Sequence, residues 1–202
     1  MAGTGTGDDP VGFEAAAGAV REGGLVVYPT ETVYGLGADA LDSAAVEAVF
    51  DAKERDRSEP VSMALPSVEA ALSYTAPTAR ERRFAHEFLP GPVTVVVDRG
   101  EAVPDVLTAG RERVGVRVPD HEVALSLLAE TPPLTATSAN VSGRSSTRRV
   151  AALDAEIRDA AAAVLDGGET PGGGSTVVDV SAGTVHRRGR LADEVEAWLA
   201  GE

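Results

Sequence analysis

The apolar residues of this chain come in short runs closed off by proline or glycine. Leu25-Val26-Val27-Tyr28 stops at Pro29, Val61–Leu65 at Pro66, and Val114–Val118 at Pro119. Val93–Val97 follows a Pro-Gly-Pro turn, and Ser175–Val180 follows three glycines. Runs this short and this rich in valine fit buried strands. They fall well below the roughly twenty apolar residues that a membrane-spanning helix needs. Leu134–Thr137, Ala162–Leu165 and Thr184–Arg190 read as further strands. Between the runs lie segments with helical spacing. Val11–Glu22 is stopped by Gly23-Gly24. Asp42 or Ser43 caps a helix whose stripe is Val46, Val49 and Phe50. Ser67 to Tyr74, Pro77 to Phe88, Asp120 to Glu130, Val150 to Ala161 and Leu191–Leu199 complete the set. Residues 98–112 read as a loop with one weak segment, Val106–Ala109. No repeat or break in composition marks a boundary. The pattern predicts one layered α/β domain over residues 11–202, a mixed sheet flanked by helices, after a frayed start at residues 1–10.

Composition narrows the function classes. Aromatics are 4% of residues, so the core is built from Val, Leu and Ala. With no cysteine, disulfide and thiol chemistry are excluded, and His86, His121 and His186 lack metal-ligand spacing. No signal-peptide pattern follows the Gly/Asp-rich start, which predicts a soluble cytoplasmic protein without a membrane contact. The net charge of −14 argues against a surface that grips nucleic acid throughout. Acidity with almost no lysine is the composition of a protein adapted to high salt. Of the 18 Lys and Arg residues, 17 are arginine and one, Lys53, is lysine. Its compact charge is something the planar fork of arginine does not mimic.

Lys53 extends the helical stripe of Val46, Val49 and Phe50, so it points into the protein. Arg55 lies two positions on. In a continuing helix the two would diverge by about 200°, whereas on extended backbone they share a face. If both act on one ligand, the helix ends near Ala52 or Lys53. Ser138 and Asn140 repeat the spacing after a strand. Arg117 sits among apolar residues in a strand and needs an anionic partner, either an internal carboxylate or a ligand. The strand at 25–28 runs into Pro29-Thr30-Glu31-Thr32, which presents hydroxyls and a carboxylate. Gly172-Gly173-Gly174 before Ser175 can expose N–H groups to phosphate, although no Gly-Lys-Ser/Thr follows.

Quoted as they stand, GGLVVYPTETVYGLGADA (23–40), VFDAKERDRSEP (49–60), FLPGPVTVVV (88–97), VGVRVPDH (114–121), TSANVSG (137–143), GGGSTVVDV (172–180) and HRRG (186–189) resemble the YrdC family of threonylcarbamoyl-AMP synthases. The resemblance implies a YrdC-like mixed sheet with a concave site. It implies condensation of L-threonine, bicarbonate and ATP, with Mg2+, to threonylcarbamoyl-AMP and pyrophosphate, and a tRNA threonylcarbamoyl transferase complex as the next partner. It implies Lys53 and Arg55 as the catalytic pair at the phosphates. Thr32, Arg117, Ser138 and Ser175 would hold threonine, with Asn140, Thr147 and Arg188 at the nucleotide, and no metal ligand from the protein. Asp56, Glu59, Ala64 and Arg113 depart from residues common in the family. They leave open a divergent YciO-like paralogue that binds nucleotide or structured RNA, with the arginines at 144, 148, 149, 187, 188 and 190 as its basic surface.

Overall fold

The computed structural model describes residues 10–201. The frayed start expected over residues 1–10 falls outside the described residues, apart from Pro10, which opens the first helix. The strands are β1 (Leu25–Tyr28), β2 (Gly35–Gly37), β3 (Ser62–Ala64), β4 (Val93–Asp98), β5 (Arg113–Arg117), β6 (Leu134–Ser138), β7 (Ala161–Val164), β8 (Thr176–Asp179) and β9 (Thr184–Arg187). The helices are α1 (Pro10–Arg21), α2 (Ser43–Lys53), α3 (Val68–Ser73), α4 (Ala79–Phe88), α5 (Asp105–Thr108), α6 (Glu122–Glu130), α7 (Ala155–Ala160) and α8 (Ala192–Gly201). The sheet runs β7-β1-β2-β6-β3-β5-β4-β8-β9. β1–β7, β3–β5 and β4–β8 are parallel and the other neighbours antiparallel, so the sheet is mixed as expected.

The alternation of side chains along the strands decides where the site lies. In the half made of β3, β5, β4 and β8, one face is apolar. Met63, Val93, Val95, Val97, Val114, Val116 and Val178 pack under Val46 and Phe50 of α2, Leu72 of α3, Phe84 of α4, Leu107 of α5 and Val195 of α8. The opposite face carries Ser62, Thr94, Arg113, Gly115, Arg117 and Asp179 and borders a cleft. In the other half both faces are covered. Val26 and Tyr28 of β1 meet α1 and α6, while Leu25 and Val27 meet α2 and α7. One end of the sheet is thus buried on both sides and the other on one side only, and the cleft occupies the uncovered face.

Local differences from the sequence reading have physical causes. The stretch 35–37, not among the strands read from the sequence, is strand β2, and the Tyr28 ring lies across its glycines. A Cβ on Gly37 would sit 2.9 Å from Tyr28 Cε1, and one on Gly35 3.0 Å from its Cζ. The single helix expected over Val150–Ala161 is a 3-10 turn at Val150–Ala152 followed by α7. Between the two, the Asp154 carboxylate accepts the Val141 N–H at 2.8 Å, tying this segment to the 138–142 turn. Asp42 and Ser67 cap α2 and α3 as expected. α4 starts from a capping box of Thr78 and Glu81 rather than at Pro77. α6 begins after His121 with no side-chain cap, not at Asp120. The 98–112 loop contains the short helix α5, and β9 ends at Arg187. Among the described residues no helix is long and apolar enough to cross a membrane.

Candidate functional site

The cleft has a volume of about 820 Å³. Its floor depends on Gly115, between Arg113 and Arg117 on β5. A Cβ there would meet Ser62 Oγ at 2.3 Å and Thr94 Cγ2 at 3.0 Å, from the strands on either side. Only glycine leaves this floor open.

Arg117 rises from the floor beside the 29–34 loop. Its Nη2 donates to Glu31 Oε1 at 2.8 Å and to Thr32 Oγ1 at 3.0 Å. Thr30 and Thr32 hydroxyls lie 2.9 Å apart, and Thr30 Oγ1 donates to the Val33 carbonyl at 2.7 Å, closing the loop on itself. The partner that an arginine in an apolar strand requires is therefore Glu31, an internal carboxylate. Even so, Arg117 lines the cleft, and its Nε, like Glu31 Oε2, is buried without a hydrogen-bond partner.

On the facing wall Arg187 donates from Nε to the Ser175 carbonyl at 3.0 Å and from Nη2 to Ser175 Oγ at 2.8 Å. Ser175 Oγ is also 3.2 Å from Thr94 Oγ1. Arg187 is exposed by surface area, yet desolvation of its guanidinium against the cleft wall, with Arg117 and Arg55 nearby, pulls its pKa below the usual value. No carboxylate among the described residues pairs with it. Arg55, at the cleft edge, bonds the carbonyls of Glu59 and Pro60, and Glu59 Oε2 is 3.4 Å from its Nη2. Arg113, at the far end, is neutralised by Glu81, Asp98 and Asp179. The cleft thus joins hydroxyl groups to guanidinium groups, one of which, Arg187, has no carboxylate partner among the described residues, an arrangement suited to a small polar ligand together with an anion.

The residues singled out from the sequence divide three ways. Thr32, Arg55, Arg117, Ser138 and Ser175 line the cleft. Lys53, Asn140 and Thr147 are buried but do not line it. α2 ends at Lys53 because Glu54 takes a left-handed conformation, φ 49° and ψ 40°, so Arg55 leaves the helix as expected. Thr147 supplies its carbonyl to the Tyr34 N–H at 2.9 Å, and Asn140 Nδ2 donates to the carbonyls of Val141 and Arg144. Arg188 lies outside the cleft, exposed and paired with Asp193 and Glu196, and its neighbour Arg187 occupies the wall instead. The run His186-Arg187-Arg188-Gly189 carries no periodicity that separates the two arginines. The β8–β9 register does, and it shifts at Val177/Val178. Thr94 and Gly115 were also not singled out as site residues. The departures fall unevenly. Asp56 is exposed and accepts the Ser58 N–H at 2.8 Å, whereas Glu59 and Arg113 border the cleft.

A family model for the Sua5/YciO/YrdC group, described as "Telomere recombination", matches residues 18–189. A threonylcarbamoyl-AMP synthase of Pyrococcus abyssi is 43% identical over 82% of this chain and 50% of its own length. A putative threonylcarbamoyl-AMP synthase of Mycobacterium tuberculosis H37Rv is 37% identical over 94% of this chain and 89% of its own. The chain therefore spans half of the first relative and most of the second. The crystal structure of P. abyssi Sua5 complexed with L-threonine superposes with a TM-score of 0.83 at 40% identity, covering 92% of this chain and 56% of that one. The crystal structure of E. coli YciO superposes with a TM-score of 0.78 at 26% identity, covering 91% of this chain and 92% of that one.

Proposed function

Because the chain belongs to the Sua5/YciO/YrdC family, we propose that it is a threonylcarbamoyl-AMP synthase, condensing L-threonine, bicarbonate and ATP with release of pyrophosphate. The observation that carries this reading is the convergence of Thr32, Arg117, Ser175 and Arg187 on one cleft, in a fold that matches a relative solved with L-threonine. Arg117 takes the threonine carboxylate as a charge-assisted pair. The hydroxyls of Thr32 and Ser175 fix the orientation of the rest of the amino acid. The threonine nitrogen and bicarbonate form a carbamate with loss of water. A carbamate oxygen then attacks the α-phosphorus of ATP, and the bond to pyrophosphate breaks. Negative charge grows on the phosphate oxygens, and Arg55 and Arg187 are placed at the cleft to neutralise it.

Mg2+ enters as the companion of ATP and neutralises phosphate charge. Among the described residues no group of three or more His, Cys, Asp or Glu is placed to hold a metal ion. The product, a reactive acyl adenylate, is consumed by a transferase complex that acts on tRNA. On this reading the protein works in the cytoplasm, with its acidic surface as a solubility device in high salt. Direct tRNA binding is a minor part of this reading. Arg144, Arg148, Arg149 and Arg188 are all paired with carboxylates, which leaves Arg187 and Arg190 as the unneutralised members of that surface among the described residues. The greater identity to named synthases than to YciO favours the synthase over the divergent paralogue.

Pyrophosphate release is the test. It is expected to require threonine and bicarbonate together. ATP consumption that proceeds equally without threonine contradicts the proposal.

A further inference from the structure

The only lysine of the chain does not face the cleft. Lys53 is 2% exposed, at the last turn of α2. Its Nζ donates to the carbonyl of Ser138 at 2.5 Å and to that of Asn140 at 2.7 Å. Its own carbonyl accepts the Ser142 N–H at 2.8 Å. Three bonds thus run from one residue to the turn that follows β6. On either side of this joint stand two groups that do line the cleft, Ser138 and Arg55.

We infer that Lys53 is a positioning residue, not a phosphate ligand: its ammonium clamps the 138–142 turn to the end of α2 and so sets Ser138 against Arg55 across the cleft. The effect on catalysis rests on the proposed synthase reaction, whereas the clamp itself does not. The inference also accounts for the survival of one lysine among 17 arginines. An ammonium has three N–H donors and fits between two carbonyls. A guanidinium brings five donors on a rigid plane into the same buried space and leaves several unpaired.

The charged groups around the ammonium give the clamp a pH signature. Burial and the neighbouring Arg55 pull the Lys53 pKa down to about 8, and Asp154 acts in the opposite direction. Asp154 belongs to the segment packed on the far side of the turn, where it accepts the Val141 N–H at 2.8 Å. Loss of the proton replaces two charge-assisted bonds by weaker ones from a neutral amine. The clamp is therefore intact below this pKa and slackens above it.

With one lysine in the sequence, incorporation of lysine carrying carbon-13 at Cε gives a single lysine signal to follow by NMR. In the ligand-free protein this signal is expected to titrate near 8, with the amide signals of residues 138–142 moving in step. Addition of Mg-ATP or pyrophosphate is expected to raise that midpoint by well under one unit, through the negative charge placed at Arg55. A phosphate ligand would instead have its midpoint raised by about one unit or more, tenfold in proton affinity. Such a rise overturns the inference, as does a ligand-free midpoint near the ordinary 10.5. In kinetics, Lys53→Met is expected to lower kcat by about 10–100-fold with the KM for ATP nearly unchanged, and to lack the alkaline fall in activity expected of the wild type. Lys53→Arg is expected not to restore it. A rise in the KM for ATP at constant kcat contradicts the inference. Where Lys53→Met fails to fold, the labelled wild type decides. Where ATP does not bind at all, the synthase reading fails, and the ligand-free titration still tests the clamp.

Discussion

Replacement of Arg187 by glutamine separates function from stability at this site. The Arg187 side chain makes two hydrogen bonds, both to Ser175, and is held near Arg117 and Arg55 without a carboxylate partner. A hydrogen bond to a charged partner contributes about 1.5–3 kcal/mol. Loss of the guanidinium from the anion in the cleft should therefore lower kcat/KM by about 10–150-fold. Stability should move little, because Arg187 is exposed by surface area and removal of a cation beside like charges offsets the loss of two bonds to Ser175. Arg188→Gln is the matched control. Arg188 is exposed and paired with Asp193 and Glu196, and surface pairs contribute about 0–1 kcal/mol. Its activity should stay within about twofold of wild type. Steady-state pyrophosphate release and thermal melting, on both variants at one salt concentration, make the comparison. Equal losses in the two variants, or full activity in Arg187→Gln, would refute the assignment of Arg187 to the anion.

The remaining predictions concern the floor and its far end. Gly115→Ala places a methyl 2.3 Å from Ser62 Oγ and 3.0 Å from Thr94 Cγ2. Threonine binding by calorimetry should weaken at least about tenfold, with a stability cost of about 1–3 kcal/mol, and Ser62→Ala in the same chain should restore part of both. Arg113→Met strips the cation from Glu81, which is 1% exposed, and should cost about 3–5 kcal/mol in denaturant unfolding. Burial raises the Glu81 pKa, but bonds from Thr78, Ser181 and Arg113 outweigh it and leave the carboxyl below its ordinary 4.5. Glu81 therefore adds stability that is present above 4.5 and lost as pH falls through the lower folded value. The acid limb of the wild-type stability profile should flatten in Arg113→Met.

Much of this arrangement is written in the sequence, and the parts that are not share a cause. Alternation of valine with Thr94, Gly115 and Arg117 on adjacent strands separates the apolar face from the open one. The helix stripe brings Lys53 inward, as periodicity predicts, whereas the release of Arg55 depends on the left-handed Glu54 that ends the helix. Which inward space Lys53 enters depends on the 138–142 turn, more than eighty positions away, and that is a matter of tertiary contact. Arg187 and Arg188 are indistinguishable until β9 finds its register on β8, and an irregularity there removes the simple alternation that would have separated them. Gly35 and Gly37 lie in a stretch too short to read as a strand from the sequence. They form a strand because the Tyr28 ring needs the space that side chains would fill.

The most direct measurement follows the carbon. The protein, incubated with L-threonine, Mg-ATP and carbon-13-labelled bicarbonate, should form an adduct that mass spectrometry identifies as threonylcarbamoyl-AMP carrying the label in its carbamoyl carbon. Its yield should match pyrophosphate and fall to background in Arg117→Gln, a variant with no guanidinium at that position for the threonine carboxylate. An unlabelled adduct, or ATP turnover with no threonine-containing product, would contradict the account.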